Sequence, residues 1–313
     1  MPFLFPHPHV LKGIVLRTSG GVYDVETSEG VREAVLRGRL KREERVGDRV
    51  VVGDRVEIEP DPGGEIWTIE RIEERSSALV RRAPGKAPRA KVIVANVDRV
   101  VIVFSVANPA PHLRMLDRFL VLCESNDLDA VIVANKVELI GDDAARALFG
   151  GYERIGYPVL YTSAATGAGV DALEATLCDG ISTLTGPSGV GKSSLLNAVQ
   201  PGLSLRVGSV SEHVHKGRHT TVTAELIHLD CGGYVADTPG LRELGLWGVD
   251  LDQLHFYFPE FEPYLGECRY ASSCTHSHEP GCAVRAAVDV GEVAPSRFES
   301  YLRLLAGDDP EDG

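Results

Sequence analysis

The sequence predicts a multi-domain chain: a small N-terminal β-barrel, a central α/β domain and a short, mainly helical C-terminal domain. Three observations carry this division. Residues 10–75 break into short strand-like runs separated by glycine turns. From Val100 onward, apolar runs of buried-strand type alternate with stretches of helical spacing. Near the C-terminus, Cys268, Cys274 and Cys282 crowd around His276.

Composition sets the bounds. A chain of 313 residues with 43% hydrophobic content can build two or three cores. No apolar run approaches the length of a membrane span. The opening MPFLFPHPHV lacks the charged and apolar regions of a signal peptide. Six cysteines do not suggest a disulfide scaffold here, and their clustering with histidine favours a metal in a reducing compartment. A soluble cytoplasmic chain is the expectation. The net charge of −13 is unevenly spread: residues 1–95 carry 17 Lys+Arg against 15 Asp+Glu, and the remaining 218 carry 15 against 30. Such an acidic chain binds nucleic acid locally or not at all.

The barrel reading rests on Lys12–Leu16, Val22–Val25, Val31–Leu36, Gly53–Ile58 and Ile66–Ile69, with turns at Ser19-Gly20-Gly21 and Ser28-Glu29-Gly30. Five short strands at this spacing predict an OB-type barrel. Between the third and fourth run lie Arg37, Arg39, Lys41, Arg42, Arg45 and Arg49. They read either as an RNA-facing loop or, since Glu43, Glu44 and Asp48 interleave, as a solvated face. Arg81–Arg89, rich in proline and basic charge, reads as a linker. The boundaries that follow are 1–82, 83–245 and 246–313.

In the central domain, Val100–Phe104 and Asp129–Ala134 read as buried parallel strands, and Pro158–Tyr161 as a shorter one. His112–Glu124, residues 142–150 and Val170–Leu177 read as helices. Cys123 and Cys178 are expected to pack among them as small hydrophobes.

The chemistry centres on Gly186-Pro187-Ser188-Gly189-Val190-Gly191-Lys192-Ser193-Ser194, set between a strand-like run (Ile181–Leu184) and a helix start (Leu195–Val199). This is the phosphate-loop pattern. Glycines allow a tight turn with consecutive N–H groups exposed, and the helix N-terminus adds positive character. Lys192 can reach the β- and γ-phosphates and the Ser193 hydroxyl can ligate Mg²⁺.

Other motifs sit where an open parallel sheet binds ligand, at the carboxyl ends of strands. Asn135-Lys136-Val137-Glu138 resembles the guanine-reading N-K-x-D motif, with the longer Glu138 in place of aspartate. Its carboxylate can accept from guanine N1–H and the 2-amino group, a donor pair adenine lacks. Thr162-Ser163-Ala164 matches the loop that offers a backbone N–H to the guanine O6. Asp237-Thr238-Pro239-Gly240 resembles the D-x-x-G switch, and Thr220 or Thr221 within Lys216–Thr221 could complete an Mg²⁺ shell. GTPases ordinarily begin with the phosphate loop and end with the base-reading motifs; here the order is rotated, as in a circular permutation.

The C-terminal set Cys268, Cys274, His276 and Cys282 has the spacing C-x5-C-x-H-x5-C, suited to a closed tetrahedral zinc. His278 competes with His276. Phe256, Tyr257, Phe258 and Phe261 read as core of this unit, Arg297–Leu305 as a closing helix, and residues 307–313 as an acidic tail.

Taken together, G-P-S-G-V-G-K-S-S, G-R-H-T-T and D-T-P-G resemble the ribosome small-subunit-dependent GTPase A family (RsgA, YjeQ, YloQ), and the resemblance covers nearly the whole chain. Its T-H-x-x-E-P-G-C pattern favours His276 over His278. That family usually has four residues between the first two cysteines, where this chain has five. The resemblance implies a GTPase acting in late maturation of the 30S subunit, stimulated by that particle and bound to 16S rRNA. It implies structural Zn²⁺, Mg²⁺ with GTP/GDP, a monomer, and no membrane. Mg²⁺ would be held by Ser193, Thr221 and Asp237. Leu241 occupies the position where Ras-like enzymes carry a water-orienting glutamine, so another group must do this. His219 is the candidate, beside Lys192 and Thr221 among the catalytic residues. Two other classes stay open: a P-loop ATPase or kinase, and a non-hydrolysing RNA-binding scaffold.

Overall fold

A computed structural model of the chain describes residues 9–38, 40, 50–61, 66–82, 90–203, 224–237 and 249–307. These fall into two compact units. One comprises the described parts of 1–98, 175–184 and 209–241, and the other those of 99–174, 185–208 and 242–313.

The first unit contains the barrel. Strands β1 (Leu11–Ser19), β2 (Val22–Thr27), β3 (Gly30–Leu36), β4 (Arg55–Pro60) and β5 (Trp67–Ile72) pair in the order β1-β2-β3-β5-β4, and β4 returns to β1. Only the β3–β5 pairing is parallel among these. Closure of five strands removes every free edge, the OB-type solution expected. Alternate residues Val15, Val25, Ala34, Val56, Ile58 and Ile69 point inward and are fully buried.

A hairpin of β6 (Ala78–Arg82) and β7 (Ala90–Ala95) follows. Arg81 and Arg82, read above as linker, are the end of β6; the rest of that stretch, 83–89, lies outside the described residues. Basic side chains masked a strand whose apolar part is short. Asn96 Nδ2 donates to Gly53 O at 2.9 Å, joining this hairpin to the barrel.

The same unit holds β11 (Ile181–Thr185, up to Leu184), β12 (Glu225–His228) and β13 (Tyr234–Asp237). β11 and β13 are parallel, with Ile181 opposite Tyr234 and Thr183 opposite Ala236. β12 runs antiparallel to β13, so this part of the sheet is mixed where the βαβ pattern suggested parallel strands throughout. β12 also meets β1 at Arg17↔Glu225. The Glu26 carboxylate of β2 accepts from the Tyr234 hydroxyl at 2.6 Å and pairs with His228 Nδ1 at 2.8 Å. Those two rings stack at 4.7 Å. Burial, then the bond to Glu26, push the Tyr234 phenol up to about 12, so it remains a donor.

In the second unit, β8 (Arg99–Ser105), β9 (Asp129–Asn135) and β10 (Val159–Thr162) are parallel and adjacent in that order. The near-continuous apolar runs of β8 and β9 are buried, as parallel strands require, whereas β10, at the end of this strand order, is half-buried up to Thr162. The helices are α1 (Leu113–Glu124), α2 (Asp142–Ile155), α3 (Val170–Leu177) and α4 (Lys192–Val199). α2 runs past residue 150 because Gly150-Gly151 does not interrupt it; Gly156, with φ 114°, stops it. His112 caps α1, its Nδ1 accepting from the Met115 N–H.

The C-terminal part packs short 3₁₀ turns (Leu251–Tyr257, Pro259–Tyr264) with α5 (Ala283–Asp289) and α6 (Pro295–Leu305). Leu254, Phe258, Phe261, Val284 and Tyr301 form its core, reaching Val121 of α1. Phe256 departs from the core reading: it is 56% exposed. A buried polar cluster ties α6 to α1. Arg297 donates two bonds to Glu260, at 2.6 and 3.1 Å, and one to Asp117 at 2.8 Å. Asp117 also accepts from Tyr152 at 2.7 Å and from Ser300. Burial opposes the Arg297 charge, but Asp117 and Glu260 outweigh it and push its pKa up.

Cys123 is a buried free thiol, as expected, and burial raises its pKa. Cys178 is not a packed hydrophobe: it is disulfide-bonded to Cys231. Sequence separation of 53 residues hid the partnership, since only the β11–β13 register brings the two together.

Candidate functional site: a phosphate loop tied to base-reading loops

The phosphate loop is shaped by two close approaches. At Gly186, φ is 130° and a Cβ would lie 2.0 Å from Val103 O; at Gly191, φ is 101° and a Cβ would lie 2.4 Å from Asn135 Nδ2. Only glycine fits either position. Gly191 caps α4, whose first residues Lys192 and Ser193 are buried. Lys192 Nζ donates to Gly186 O at 2.6 Å and Pro187 O at 2.7 Å, holding the ammonium across its own loop. The crest at Ser188 and Gly189 is exposed.

Asn135 is the hub. It ends β9, is 1% exposed, and donates from Nδ2 to Val190 O at 2.8 Å. Its Oδ1 accepts from Thr162 Oγ1 at 3.2 Å and from the Ala164 N–H at 3.4 Å. One buried amide thus joins the N-K-x-E, T-S-A and phosphate loops. Lys136, in a left-handed conformation, donates from Nζ to Gly189 O at 2.7 Å and to Asn108 O. Glu138 is exposed on the following 3₁₀ turn. Ser163 Oγ accepts from the Thr166 N–H at 3.1 Å and so shapes the T-S-A loop.

The segment Asn108–Pro109 was missed in the motif reading. Ser105 Oγ donates to Pro109 O at 2.7 Å, and Asn108 O receives Lys136. The signal was present: an Asn-Pro turn directly after a buried strand, at the sheet edge where ligands bind.

Asp237 ends β13 in the first unit. Thr238, Pro239, Gly240, Leu241, His219, Thr220 and Thr221 lie outside the described residues, as do Arg39 and the basic residues 41–49.

The second cluster is the C-terminal donor set. Cys268, Cys274, His276 and Cys282 are buried, and their ligand atoms all lie within 4.8 Å of one another. Cys268 Sγ is 3.8 Å from Cys282 Sγ, and His276 Nδ1 is 3.5 and 3.4 Å from these two sulfurs. A tetrahedral zinc with Zn–S about 2.3 Å and Zn–N about 2.0–2.1 Å sets ligand atoms roughly 3.4–3.8 Å apart. These spacings are edges of such a polyhedron rather than hydrogen bonds, and the donor set fits zinc. The Ala283 N–H points at Cys268 Sγ, 3.3 Å away, the kind of contact that supports a thiolate ligand. His278 is exposed and bonds to Ser277 instead. Glu279 fixes the turn by accepting from Thr275 and the Ser277 and His278 N–H groups; burial works against its charge, but these bonds hold its carboxyl at about 2. The five-residue spacer after Cys268 is taken up by a 3₁₀ turn, Ala271–Ser273, with Ala271 left-handed.

A closed five-stranded barrel, an α/β phosphate-loop core with rotated motif order and a Cys3His cluster define a circularly permuted GTPase with flanking domains. The RsgA GTPase family model matches residues 72–247 and that of the RsgA N-terminal domain matches 12–67. The chain belongs to the RsgA GTPase family. The small ribosomal subunit biogenesis GTPase RsgA of Gemmatimonas aurantiaca is 51% identical over 294 residues, 93% of this chain and 95% of that protein. That of Moorella thermoacetica is 49% identical, over 95% and 97%. Among solved structures, YjeQ from Thermotoga maritima superposes with a TM-score of 0.78 at 38% identity, over 96% and 98% of the two chains. YloQ, described as a circularly permuted GTPase, gives 0.75 at 30% identity, over 97% of each.

Proposed function

We propose that this chain hydrolyses GTP to GDP and phosphate during late maturation of the small ribosomal subunit, and that the 30S particle stimulates the reaction. The observation that carries this reading is the Asn135 hub, which locks the base-reading loops to the phosphate loop in a rotated motif order. Full-length relatives named for small-subunit biogenesis support the rest.

In this reading the N–H groups of 188–192 and the Lys192 ammonium stabilise charge on the transferring phosphoryl group. Mg²⁺, held by Ser193, Thr221 or Thr220, and Asp237, would supply further charge neutralisation. Glu138 accepts from guanine, and a backbone N–H of the T-S-A loop meets its O6. Leu241 cannot orient water, so His219 does so or the ribosomal particle does. Zn²⁺ at Cys268, Cys274, His276 and Cys282 holds the C-terminal domain together. The domains divide as 1–82, 83–245 and 246–313, the barrel with its basic segment binding 16S rRNA. The chain acts as a cytoplasmic monomer; among the described residues no helix is long and apolar enough to cross a membrane.

The test is GTP turnover with and without purified 30S particles. A many-fold rise is expected, and unchanged turnover would sink the proposal. His219→Ala should keep GTP affinity and lose most of the stimulated rate. Full stimulated turnover would remove His219 from the mechanism.

A further inference from the structure

We propose that Cys178 and Cys231 form a reversible dithiol–disulfide site, exchanging with small or protein dithiols, whose state sets how firmly the β12–β13 hairpin is fastened to β11. The chemistry stands on its own; the importance of the hairpin rests on the reading of Asp237 above.

The register places the pair. β11 and β13 are parallel, with Ile181 opposite Tyr234. Cys178 lies three residues before Ile181 and Cys231 three before Tyr234, so the two cysteines face each other at the starting end of this strand pair, with Cα atoms 5.2 Å apart. The other end of β13 is Asp237, and β11 leads into Gly186. The bond therefore fastens the two strands that lead to the phosphate loop and to the D-x-x-G aspartate.

Access selects this pair over the other cysteines. Cys231 is exposed in the turn before β13 and Cys178 is half-buried, whereas Cys123, Cys268, Cys274 and Cys282 are all buried. Exposed disulfides are the exchangeable kind, and thiolate attack requires access. The turn also has support apart from the bond. Tyr234 N–H donates to Gly180 O at 2.9 Å, Leu229 N–H to Gly233 O at 2.8 Å, and Gly232 N–H to Leu229 O at 2.8 Å. Cleavage leaves these in place, so the thiols stay near enough to rejoin.

In the reducing direction, one thiolate of a dithiol attacks Cys231 Sγ. The S–S bond breaks, and Cys178 leaves as a thiolate that takes a proton. The second thiolate of the dithiol then attacks its partner sulfur and releases Cys231. Two electrons and two protons pass to the protein, and the dithiol becomes a disulfide. A low-molecular-weight disulfide such as oxidised glutathione drives the reverse.

The test uses the full-length, zinc-loaded protein equilibrated in dithiothreitol or in graded reduced and oxidised glutathione, with metal content monitored. Thiols are trapped by alkylation and mapped by mass spectrometry, and amide hydrogen exchange is followed over 225–237. The expected result is a 178–231 cross-linked peptide that forms and disappears with redox poise while zinc is retained. Exchange over 225–237 should be several-fold slower in the oxidised form. Cys231→Ser should show the reduced rate under both conditions; Cys178→Ser is the alternative if that variant does not fold, and the wild-type comparison needs neither. The proposal is overturned if the cross-link never forms, if dithiothreitol cannot cut it in the folded protein, or if both forms exchange alike.

Discussion

Asn135 shows how one side chain can serve three loops. A neutral amide has a donor and an acceptor end, and burial makes each bond count because an unmade one would leave an unsatisfied group. Asn135→Ala should therefore weaken nucleotide binding by loosening the phosphate loop at Val190, even though the base-reading Glu138 is untouched. Isothermal titration with GDP would show this as a loss of about tenfold or more, of the order of one or two hydrogen bonds. Lys192→Ala should lower GTP turnover by at least about 10²-fold, the scale of losing a preorganised charge donor. Glu138→Ala should cut preference for GTP over ATP by on the order of 10²-fold in competition binding, because the guanine donor pair then has no acceptor. At this scale the sequence was informative where spacing itself encodes chemistry, as from Gly186 to Ser193. It was silent on Asn135 as a hub, because two of its three partners are backbone groups that carry no residue identity, and the Asn108–Pro109 turn, though visible, did not show which lysine its carbonyl receives.

At the level of elements, the joint between α1 and α6 is ionic and buried. Arg297 sits between Asp117 and Glu260, with its guanidinium 4.5 Å from the Phe258 ring centroid. Removing the cation leaves two buried carboxylates without it, a loss of about 3–5 kcal/mol by analogy with other broken buried pairs. Arg297→Met should show that loss in urea unfolding, while a surface change such as Arg303→Met should have little effect. Many strand and helix positions were legible from the apolar pattern, including Val170–Leu177 and Asp129–Ala134, but the β6–β7 hairpin was not. The pairing of Arg297 with Asp117 was not, since nothing local to either residue announces a partner 180 positions away. The antiparallel β12 and the Cys178–Cys231 bond escaped for the same reason: both depend on register across the sheet.

For the whole molecule, the C-terminal part depends on a cluster that is also its core. Cys268, Cys274 and Cys282 are packed with Phe258, Phe261 and Tyr301. Chelation should unfold residues 249–307, seen as loss of protection from proteolysis there, because structural zinc binding is itself folding free energy. Through the Asp117–Arg297 joint, α1 should lose protection as well, and hydrogen exchange over 113–124 would reveal it.

The contact of Glu26 with His228 and Tyr234, beside the meeting of β1 and β12, has a practical consequence for dissecting this molecule. A chain shortened to lack the barrel would also lose the carboxylate that holds the two stacked rings and the neighbour that covers one edge of β12. Such a truncation is a lesion in the strand leading to Asp237 as well as in the RNA contact proposed for the barrel, and slow turnover in it would have two causes. Charge substitutions on the barrel surface, with Glu26 kept, separate the grip on the particle proposed for the barrel from upkeep of the hairpin.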